Sequence, residues 1–525
     1  MLTLSMFDML STTTYLLIIG VIVGVVLILV DHARSIKRKR TLARVIIEDG
    51  EAPDTAVKNK QILRDPPGPV PYPITGSIHL LGQYDVPYKA FAYLTKKYNS
   101  QVIKLRVGSV PCVVVNGLEN IKEVLFAKGQ HFDSRPNFVR YNKLFAGNKE
   151  NSLAFCDWSE IQKSRREMLR NHTFPRAFTY QYNQLNVIIA SEVENLLAHL
   201  DKPLGTMKVA VKPLVLNTCA NIFTSYFCSR RFEFGDMTFR QMVQNFDRVF
   251  YEVNQGYAAD FMPFLMIMHA KNMSNVANWT QKIRQFVEDK IVEDRLKNWT
   301  EVIPEKDYMD CLINHIKSNA EPKMSWETAL FALEDIIGGH SAIGNFLVKV
   351  FGFLATRRHI QEIAQKEIDE VKITGNTVGL EHRHSMPYTE AILLEAIRLI
   401  ASPIVPHVAN RDTSVAGFKV DKNTFIFLNN YELNMSADLW DTPTEFMPTR
   451  FIKEGRISKP EYFLPFGGGR RSCMGYKMVQ YLSFSILASI LKNYTIAPIE
   501  EEVYKVPVGS LALPETTFSF RFERR

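Results

Sequence analysis

Hydrophobic residues recur at helical spacing over most of the chain. The pattern is longest in residues 181–200, 279–298 and 324–356, where apolar positions return every three to four residues. Strand-like runs are few, and the clearest is VIKLRVGSVPCVVVN at residues 102–116. Beyond residue 76 the sequence contains neither an internal repeat nor a Pro/Gly/Ser-rich linker. The pattern therefore predicts one large domain over residues 76–525, mainly α with small β-sheets.

Residues 12–30 form an uncharged run, TTTYLLIIGVIVGVVLILV. As a helix rising about 1.5 Å per residue it would be roughly 28 Å long, close to the hydrocarbon thickness of a bilayer. The basic residues that follow are Arg34, Lys37, Arg38, Lys39 and Arg40. Basic residues stay on the cytosolic side, and no small-residue cleavage site is evident. Residues 12–32 are therefore predicted to be a transmembrane signal anchor rather than a cleaved signal peptide, with 1–11 as a short lumenal N-terminus.

Residues 33–75 connect this segment to the main domain. They are polar and basic at first, and then proline-rich in the stretch DPPGPVPYPITG. Proline at this density excludes a helix and favours a stiff, extended backbone. The segment is thus predicted to be a basic linker followed by a hinge that orients the main domain against the membrane.

Composition narrows the possible functions. The formal net charge is +8, with the basic residues scattered and no aromatic residues among them, which argues against nucleic-acid binding. The six cysteines form no C-x-x-C pair, as expected for a chain in a reducing compartment. An apolar stretch at 258–270, AADFMPFLMIMHA, could line a lipophilic route at the membrane or form a buried helix.

A single cysteine, Cys473, lies in the unusual stretch PFGGGRRSCMG. No Gly-Lys-Ser/Thr follows the glycines, so the stretch is not a phosphate-binding loop. Helical periodicity begins after Gly475, which places Cys473 at a helix N-terminus, where a thiolate is stabilised. Such a thiolate could bind a metal, attack a substrate or be an inert core residue. Glycines on its N-terminal side would allow the backbone to approach a flat ligand.

The stretch matches F-G-x-G-x-R-x-C-x-G, the cysteine-ligand loop of haem-thiolate enzymes. Upstream, EAIR and FMPTRF match E-x-x-R and P-x-R-F, in the order found in cytochromes P450, and the chain resembles that family from about residue 66 to 525. The resemblance implies a triangular, mostly α fold with haem b between two long helices and Cys473 as axial iron ligand. The implied loop residues are Phe466, Gly467, Gly469, Arg471 and Gly475, and the implied bracing network is Glu395, Arg398 and Arg450.

The resemblance also implies partners for the two haem propionates. They are Arg471, His407 in PIVPHVANRDT and Arg135 in HFDSRPN, with Trp158 similar to the tryptophan of the family's W-x-x-x-R helix. The arginine of that motif is replaced here by Gln162. Either Lys163 or Arg165 could substitute for it, or a neutral group could serve instead.

The helix expected above the iron departs from the family. The usual A/G-G-x-D/E-T-T/S, whose acid and threonine help to deliver protons to dioxygen, is here GGHSAIGN, without an acid-alcohol pair in either register. Three explanations stay open. Ser341, His340 or Asn345 could relay protons with water; the substrate's own hydroxyl could do so; or the enzyme could rearrange its substrate without activating dioxygen.

The departure in this helix, together with DWSEIQKSRRE and the cysteine loop, resembles the Spook/Spookier group of the insect Halloween P450s. That resemblance implies oxidation of a sterol early in ecdysteroid synthesis, from 7-dehydrocholesterol towards the ketodiol. It also implies an endoplasmic-reticulum anchor with a cytosolic catalytic domain, dioxygen, and electrons from an NADPH-dependent flavoprotein reductase, for which Arg470 and Lys477 could form a docking surface. The alternatives are an isomerase or dehydratase that needs no NADPH, a general insect detoxification monooxygenase, and a non-catalytic haem or sterol carrier.

Overall fold

The computed structural model describes residues 14–15, 17–30, 33, 45–47, 60–84, 86–201, 208–297, 299 and 304–525. The predicted lumenal segment 1–11 and most of the linker between residues 34 and 59 lie outside the described residues. The helices are α1 Leu17–Val30, α2 Ile78–Leu81, α3 Pro87–Tyr98, α4 Leu118–Lys122, α5 Val139–Leu144, α6 Glu160–Thr173, α7 Tyr180–Asp201, α8 Val211–Cys228, α9 Met237–Val253, α10 Ala270–Val287, α11 Glu293–Lys297, α12 Tyr308–Lys317, α13 Trp326–Ala355, α14 Arg358–Asp369, α15 Pro387–Ile400, α16 Asn430–Met435 and α17 Tyr476–Asn493.

The strands are short. They are β1 Val45–Ile47, β2 Lys60–Ile62, β3 Val102–Val107, β4 Val110–Val115, β5 His407–Val408, β6 Thr413–Val415, β7 Phe418–Val420, β8 Phe425–Leu428, β9 Ile452–Lys453, β10 Arg456–Ile457, β11 Tyr494–Ala497 and β12 Arg521–Arg524. The largest described sheet has the order β3-β4-β8-β5, in which β4 and β8 are parallel and the other neighbours antiparallel. The prediction of a mainly α domain with small sheets is confirmed.

The central helix of the core is α13. The side chain of Ser325 accepts a hydrogen bond from the backbone N–H of Thr328 and so caps its first turn. The helix packs against α8, α9, α15 and α17, and nearly all of its apolar side chains are buried. Its limits agree with the periodicity of residues 324–356. The segment 279–298 is less regular than its pattern, because a π-helical turn at Glu288–Val292 separates α10 from α11.

Two apolar helices bear on the membrane question. Among the described helices, α13 alone is long and apolar enough to cross a bilayer, but most of its apolar window is buried within the protein, as in the core of a globular domain. Helix α1 is apolar and shorter, with exposed hydrophobic side chains along its length. The transmembrane anchor at residues 12–32 stays a prediction.

The apolar stretch at 258–270 is not a buried helix. It consists of two 3₁₀ segments, Ala258–Asp260 and Pro263–His269, before α10 begins. Phe264, Ile267 and Met268 are 60%, 83% and 81% exposed. The stretch thus presents an apolar surface. A lipophilic route along it at the membrane stays a prediction.

Candidate haem-thiolate site

The cysteine loop folds back on itself before α17. The backbone N–H of Cys473 donates to the carbonyl oxygen of Phe466 at 3.0 Å. Gly467 and Gly469 have φ of +67° and +61°, a region that favours glycine. A Cβ on Gly469 would lie 2.0 Å from the carbonyl oxygen of Leu125, so the loop can pack against that backbone only with glycine there. Gly475 has an ordinary φ of −93° and caps α17.

The thiol of Cys473 differs from those of the other cysteines. Five of the six cysteines are buried, whereas Cys473 is exposed. Protein atoms crowd around it nonetheless, so that burial raises the pKa of the thiol, while the backbone N–H groups of Gly475 and Tyr476 and the charge of Arg166 act in the opposite direction. The sulfur is thus accessible and yet closely surrounded by protein. The described residues contain no cluster of His, Cys, Asp and Glu that could hold a metal ion, so Cys473 would act as a single protein ligand.

Three cationic or polar side chains lie near the loop. Arg471 donates to the carbonyl oxygens of Ala154 and Cys156 at 3.1 and 2.7 Å, and its second terminal nitrogen is buried without a partner. Arg135 donates to the carbonyl oxygens of Ala154, Val405 and Pro406, at 3.3, 2.9 and 3.2 Å. His407 lies 2.6 Å from the carbonyl oxygen of Phe132 through Nδ1, which leaves Nε2 for another partner.

The charges of the two arginines are not neutralised by the protein, and His407 is kept neutral. Burial and the neighbouring Arg471 lower the pKa of Arg135. Burial, Arg135 and Arg471 lower the pKa of His407. Among the described residues, no carboxylate lies within ion-pair distance of the guanidinium of Arg135 or Arg471. We call Arg135, His407, Arg471 and Arg166 the cationic cluster. Buried, unneutralised arginines beside a thiol at a helix N-terminus fit a ligand that carries both a metal and carboxylates, as haem does.

Helix α6 contributes to the cluster through a residue that sequence reasoning missed. Arg166 donates to the carbonyl oxygen of Ser472, next to Cys473, at 2.7 Å. Neither of the substitutes considered for the missing arginine takes this position, because Lys163 is exposed and Arg165 donates to the carbonyl oxygens of Glu150, Asn151 and Ser152. The sequence could have pointed to Arg166 through its spacing, since it follows Gln162 by one helical turn and so lies on the same face of α6.

Three further residues singled out in the sequence, Gln162, Trp158 and Phe466, have partners within the protein. The amide of Gln162 is fully buried and donates to the carbonyl oxygen of Leu153 at 2.6 Å. The guanidinium carbon of Arg470 lies 5.1 Å from the ring centroid of Trp158, just before the helix. Phe466 lies against the ring of Tyr476, with 5.8 Å between the ring centroids. Gln162 is thus a neutral donor, but to the protein backbone.

The backbone of Ser152, Leu153 and Ala154, which we call the bridging segment, connects the cluster to α13. The carboxylate of Asp335 on α13 accepts from the Ser152 hydroxyl at 2.9 Å and the Leu153 N–H at 2.6 Å. Burial raises the pKa of Asp335, and these donors act against that rise. The carbonyl oxygen of Ala154 accepts from Arg135 and Arg471. Adjacent residues of one segment therefore contact both helix α13 and the cationic cluster. No pattern in the sequence indicated this role for Asp335.

The residues expected to brace the core come together. The carboxylate of Glu395 accepts from Arg398 at 2.7 and 2.8 Å and from Arg450 at 3.0 Å. Arg398 also donates to the carbonyl oxygens of Asn434 and Pro443, at 2.7 and 2.8 Å. Glu395 and Arg398 are completely buried. We call this group the brace.

The three residues proposed for proton transfer are also completely buried. His340 lies 2.6 Å from the carbonyl oxygen of Ile337 through Nδ1, and burial lowers its pKa to about 4. Its Nε2 is 3.4 Å from the hydroxyl of Ser341. Asn345 donates to Asp247 at 2.8 Å and accepts from the N–H of Leu513 at 2.9 Å.

The accessible stripe of α13 carries other residues. In the middle of this buried helix, Asp335, Gly338, Gly339 and Ala342 are partly exposed, at the i, i+3, i+4, i+7 spacing of one face. Ser341 and Asn345, at i+3 and i+7 from Gly338, adjoin this stripe but are buried, and His340 is buried as well. Their role in proton transfer stays a prediction, and the geometry favours a structural role for Asn345, whose amide is fully engaged.

Comparisons with known proteins agree with this geometry. The sequence profile described as "Cytochrome P450" matches residues 66–522. The chain is 37% identical over 482 residues to cytochrome P450 307a1 of Drosophila melanogaster, covering 86% of this chain and 88% of that protein. It is 27% identical over 475 residues to cytochrome P450 1A1 of Homo sapiens, covering 86% and 90%. The chain therefore belongs to the cytochrome P450 family and is a haem b-dependent monooxygenase.

Proposed function

We propose that this monooxygenase oxidises a sterol at an early step of ecdysteroid synthesis, from 7-dehydrocholesterol towards the ketodiol. The observation that carries the chemistry is the pairing of Cys473, at the N-terminus of α17, with the cationic cluster. The substrate class rests on the resemblance to the Halloween P450s and on the 37% identity to cytochrome P450 307a1 of Drosophila melanogaster.

Each residue of the site has a proposed role. Cys473 would hold the haem iron through its thiolate, which would donate electron density to the metal. Arg135, Arg471 and His407 would hold the propionates by charge-assisted hydrogen bonds, with the glycines of the loop leaving room for the flat ligand. Haem supplies the dioxygen chemistry when it is bound. Glu395, Arg398 and Arg450 keep the surrounding backbone in place.

The proposed membrane location and electron donor rest on the family resemblance, and two surface features support them. Residues 12–32 would anchor the chain in the endoplasmic reticulum with the catalytic domain in the cytosol, and the exposed Phe264, Ile267 and Met268 would enter the lipid surface, where a lipophilic substrate arrives. Electrons would come from an NADPH-dependent flavoprotein reductase. Lys477 is a candidate for docking it. Arg470 is partly engaged by Asp133 at 3.0 Å and offers less free charge.

One observation favours a second reaction. The partly exposed stripe of α13 carries Asp335, Gly338, Gly339 and Ala342, and the hydroxyl-bearing Ser341 beside it is buried, so this part of the helix exposes no alcohol side chain to deliver protons. A rearrangement or dehydration of the sterol would need no such group and no NADPH. Oxidation of the sterol therefore requires NADPH and dioxygen, whereas rearrangement or dehydration requires no NADPH.

Membranes that contain the full chain and a flavoprotein reductase would be given 7-dehydrocholesterol with and without NADPH. The proposal expects product only with both NADPH and dioxygen, and none from Cys473→Ser. Product without NADPH would contradict oxygen activation. No product at all, from protein with a thiolate-type carbonyl spectrum, would reject the substrate and leave the haem site standing.

A further inference from the structure

Arg166 is the one member of the cationic cluster that contacts the cysteine loop from α6. Its guanidinium donates to the carbonyl oxygen of Ser472 at 2.7 Å, and that carbonyl belongs to the peptide that joins Ser472 to Cys473. The side chain is half-buried. Among the described residues, no carboxylate pairs with it.

The charge of Arg166 is fixed at neutral pH. Burial and the neighbouring Arg471 lower its pKa to about 10, and the negative charge of Cys473 acts against that decrease. The guanidinium stays protonated, and its contact with the carbonyl next to Cys473 brings its charge near the sulfur, so that the two charges act on each other. In partly desolvated surroundings such an interaction is stronger than in water.

A positive charge at this place has a definite electrostatic effect. It stabilises negative charge on the sulfur and on the neighbouring carbonyl, and so reduces the electron density that the sulfur can donate to a bound metal. When ferric iron takes one electron and becomes ferrous, the site gains one negative charge. A fixed positive charge nearby stabilises the reduced state, and this requires no proton transfer by Arg166.

We propose that Arg166 is a positioning residue that raises the reduction potential of the haem iron through its contact with the Ser472 carbonyl. The inference rests on Cys473 being the axial ligand, as proposed above. It assigns to Arg166 a role separate from binding the propionates. It also explains why a charged side chain occupies a half-buried position one turn beyond Gln162.

The test uses purified holoenzyme and two readouts that need no substrate. The first is the ferric/ferrous potential, measured by spectroelectrochemical titration with a chemical reductant. The second is the C–O stretching frequency of the ferrous carbonyl complex, which falls as the iron becomes more electron-rich. Arg166→Leu is expected to lower both. Arg166→Gln keeps a donor but not the charge and should also lower both, whereas Arg166→Lys should retain most of the parent potential.

Arg170 provides the matched control. It lies on α6 one turn later and is exposed, so Arg170→Leu should leave both readouts unchanged. If Arg166→Leu fails to take up haem, the difference between the Gln and Lys variants decides the question. Equal potentials in the parent and the Arg166→Gln protein, or an equal change from Arg170→Leu, would overturn the inference. A parent without a thiolate-type carbonyl spectrum would instead refute the assignment of Cys473.

Discussion

The brace and the cationic cluster both bury arginines, but only the brace supplies them with a carboxylate. Arg398 and Arg450 share the carboxylate of Glu395, and backbone carbonyls take up their remaining donors. In the cluster, Arg135 and Arg471 donate to backbone carbonyls only, and one terminal nitrogen of Arg471 is buried without a partner.

The difference separates structural charge from ligand-binding charge. In the brace, one protein carboxylate offsets the charge of two guanidinium groups, and backbone carbonyls accept their other hydrogen bonds, so every donor nitrogen is met within the fold. Arg135 is a buried cation whose pKa is lowered by burial and by the neighbouring Arg471, with no protein carboxylate beside it among the described residues, which fits a counter-charge supplied by a ligand. The motifs of the family predicted the brace and, apart from Arg166, the cationic cluster, but only the structure shows which group has its own carboxylate.

The largest effect is expected from breaking the brace. Glu395→Gln leaves two buried guanidinium groups without a counter-charge, and should lower the free energy of unfolding by about 3–5 kcal/mol. Urea unfolding measures this. The control is Glu362→Gln, which breaks an exposed pair with Arg358 at 3.2 Å and should cost less than about 1 kcal/mol. Similar losses in the two variants would contradict the distinction.

Removing one charge from the cluster should affect the ligand more than the fold. Arg471→Met is expected to weaken haem retention by about tenfold or more, because a charge-assisted hydrogen bond contributes about 1.5–3 kcal/mol. The rate of haem transfer to an apo-globin acceptor measures this, with Arg470→Met as the adjacent, exposed control. If the variant lost as much folding stability as Glu395→Gln, the charge of Arg471 would belong to the fold after all.

A smaller effect is expected from pH. The folded protein keeps His407 neutral, with a pKa below that of the unfolded chain, so the unfolded chain binds the proton first as pH falls. The stability contribution of His407 is therefore fully present above a pH of about 6.5 and is lost progressively on acidification below it. Unfolding of the His407→Gln protein between pH 7 and 5 should show a shallower decline in the free energy of unfolding than the parent. An unchanged slope would mean that His407 does not contribute to the pH dependence.

The smallest effect is expected at Gln162. Gln162→Met removes the buried donor to the Leu153 carbonyl and should cost about 1 kcal/mol of stability, without changing haem retention. Thermal unfolding and the haem-transfer assay together measure it. A large loss of haem from this variant would place Gln162 among the ligand-binding residues.

Hydrophobic periodicity predicted the long helices, because the pattern that specifies a helix lies within one continuous segment. Helix α13 agrees with its apolar pattern because most of its side chains are buried in the core. The sheet could not be assembled in the same way, since β4 pairs with β8 across more than three hundred residues of sequence. The motifs located Cys473 and the brace, but not the contacts of Asp335 or Arg166, which depend on packing between segments that no spacing rule connects.

The middle of helix α13 shows the same limit of reasoning from sequence alone. The sequence pointed to Ser341, His340 and Asn345 because they are the polar residues of GGHSAIGN. The rotation of the helix in the core buries all three, and Phe246, whose ring centroid lies 5.3 Å from that of His340, also covers Gly338. That rotation is set by α8 and α9 together, which a single segment does not encode.

The bridging segment gives the site a mechanical property. Asp335 holds the N–H of Leu153, and Arg135 and Arg471 hold the carbonyl oxygen of the next residue, Ala154. Because these contacts fall on consecutive residues, a displacement of α13 at Asp335 is expected to be transmitted to Arg135 and Arg471. The helix and the cationic cluster are thus coupled through one short segment of backbone.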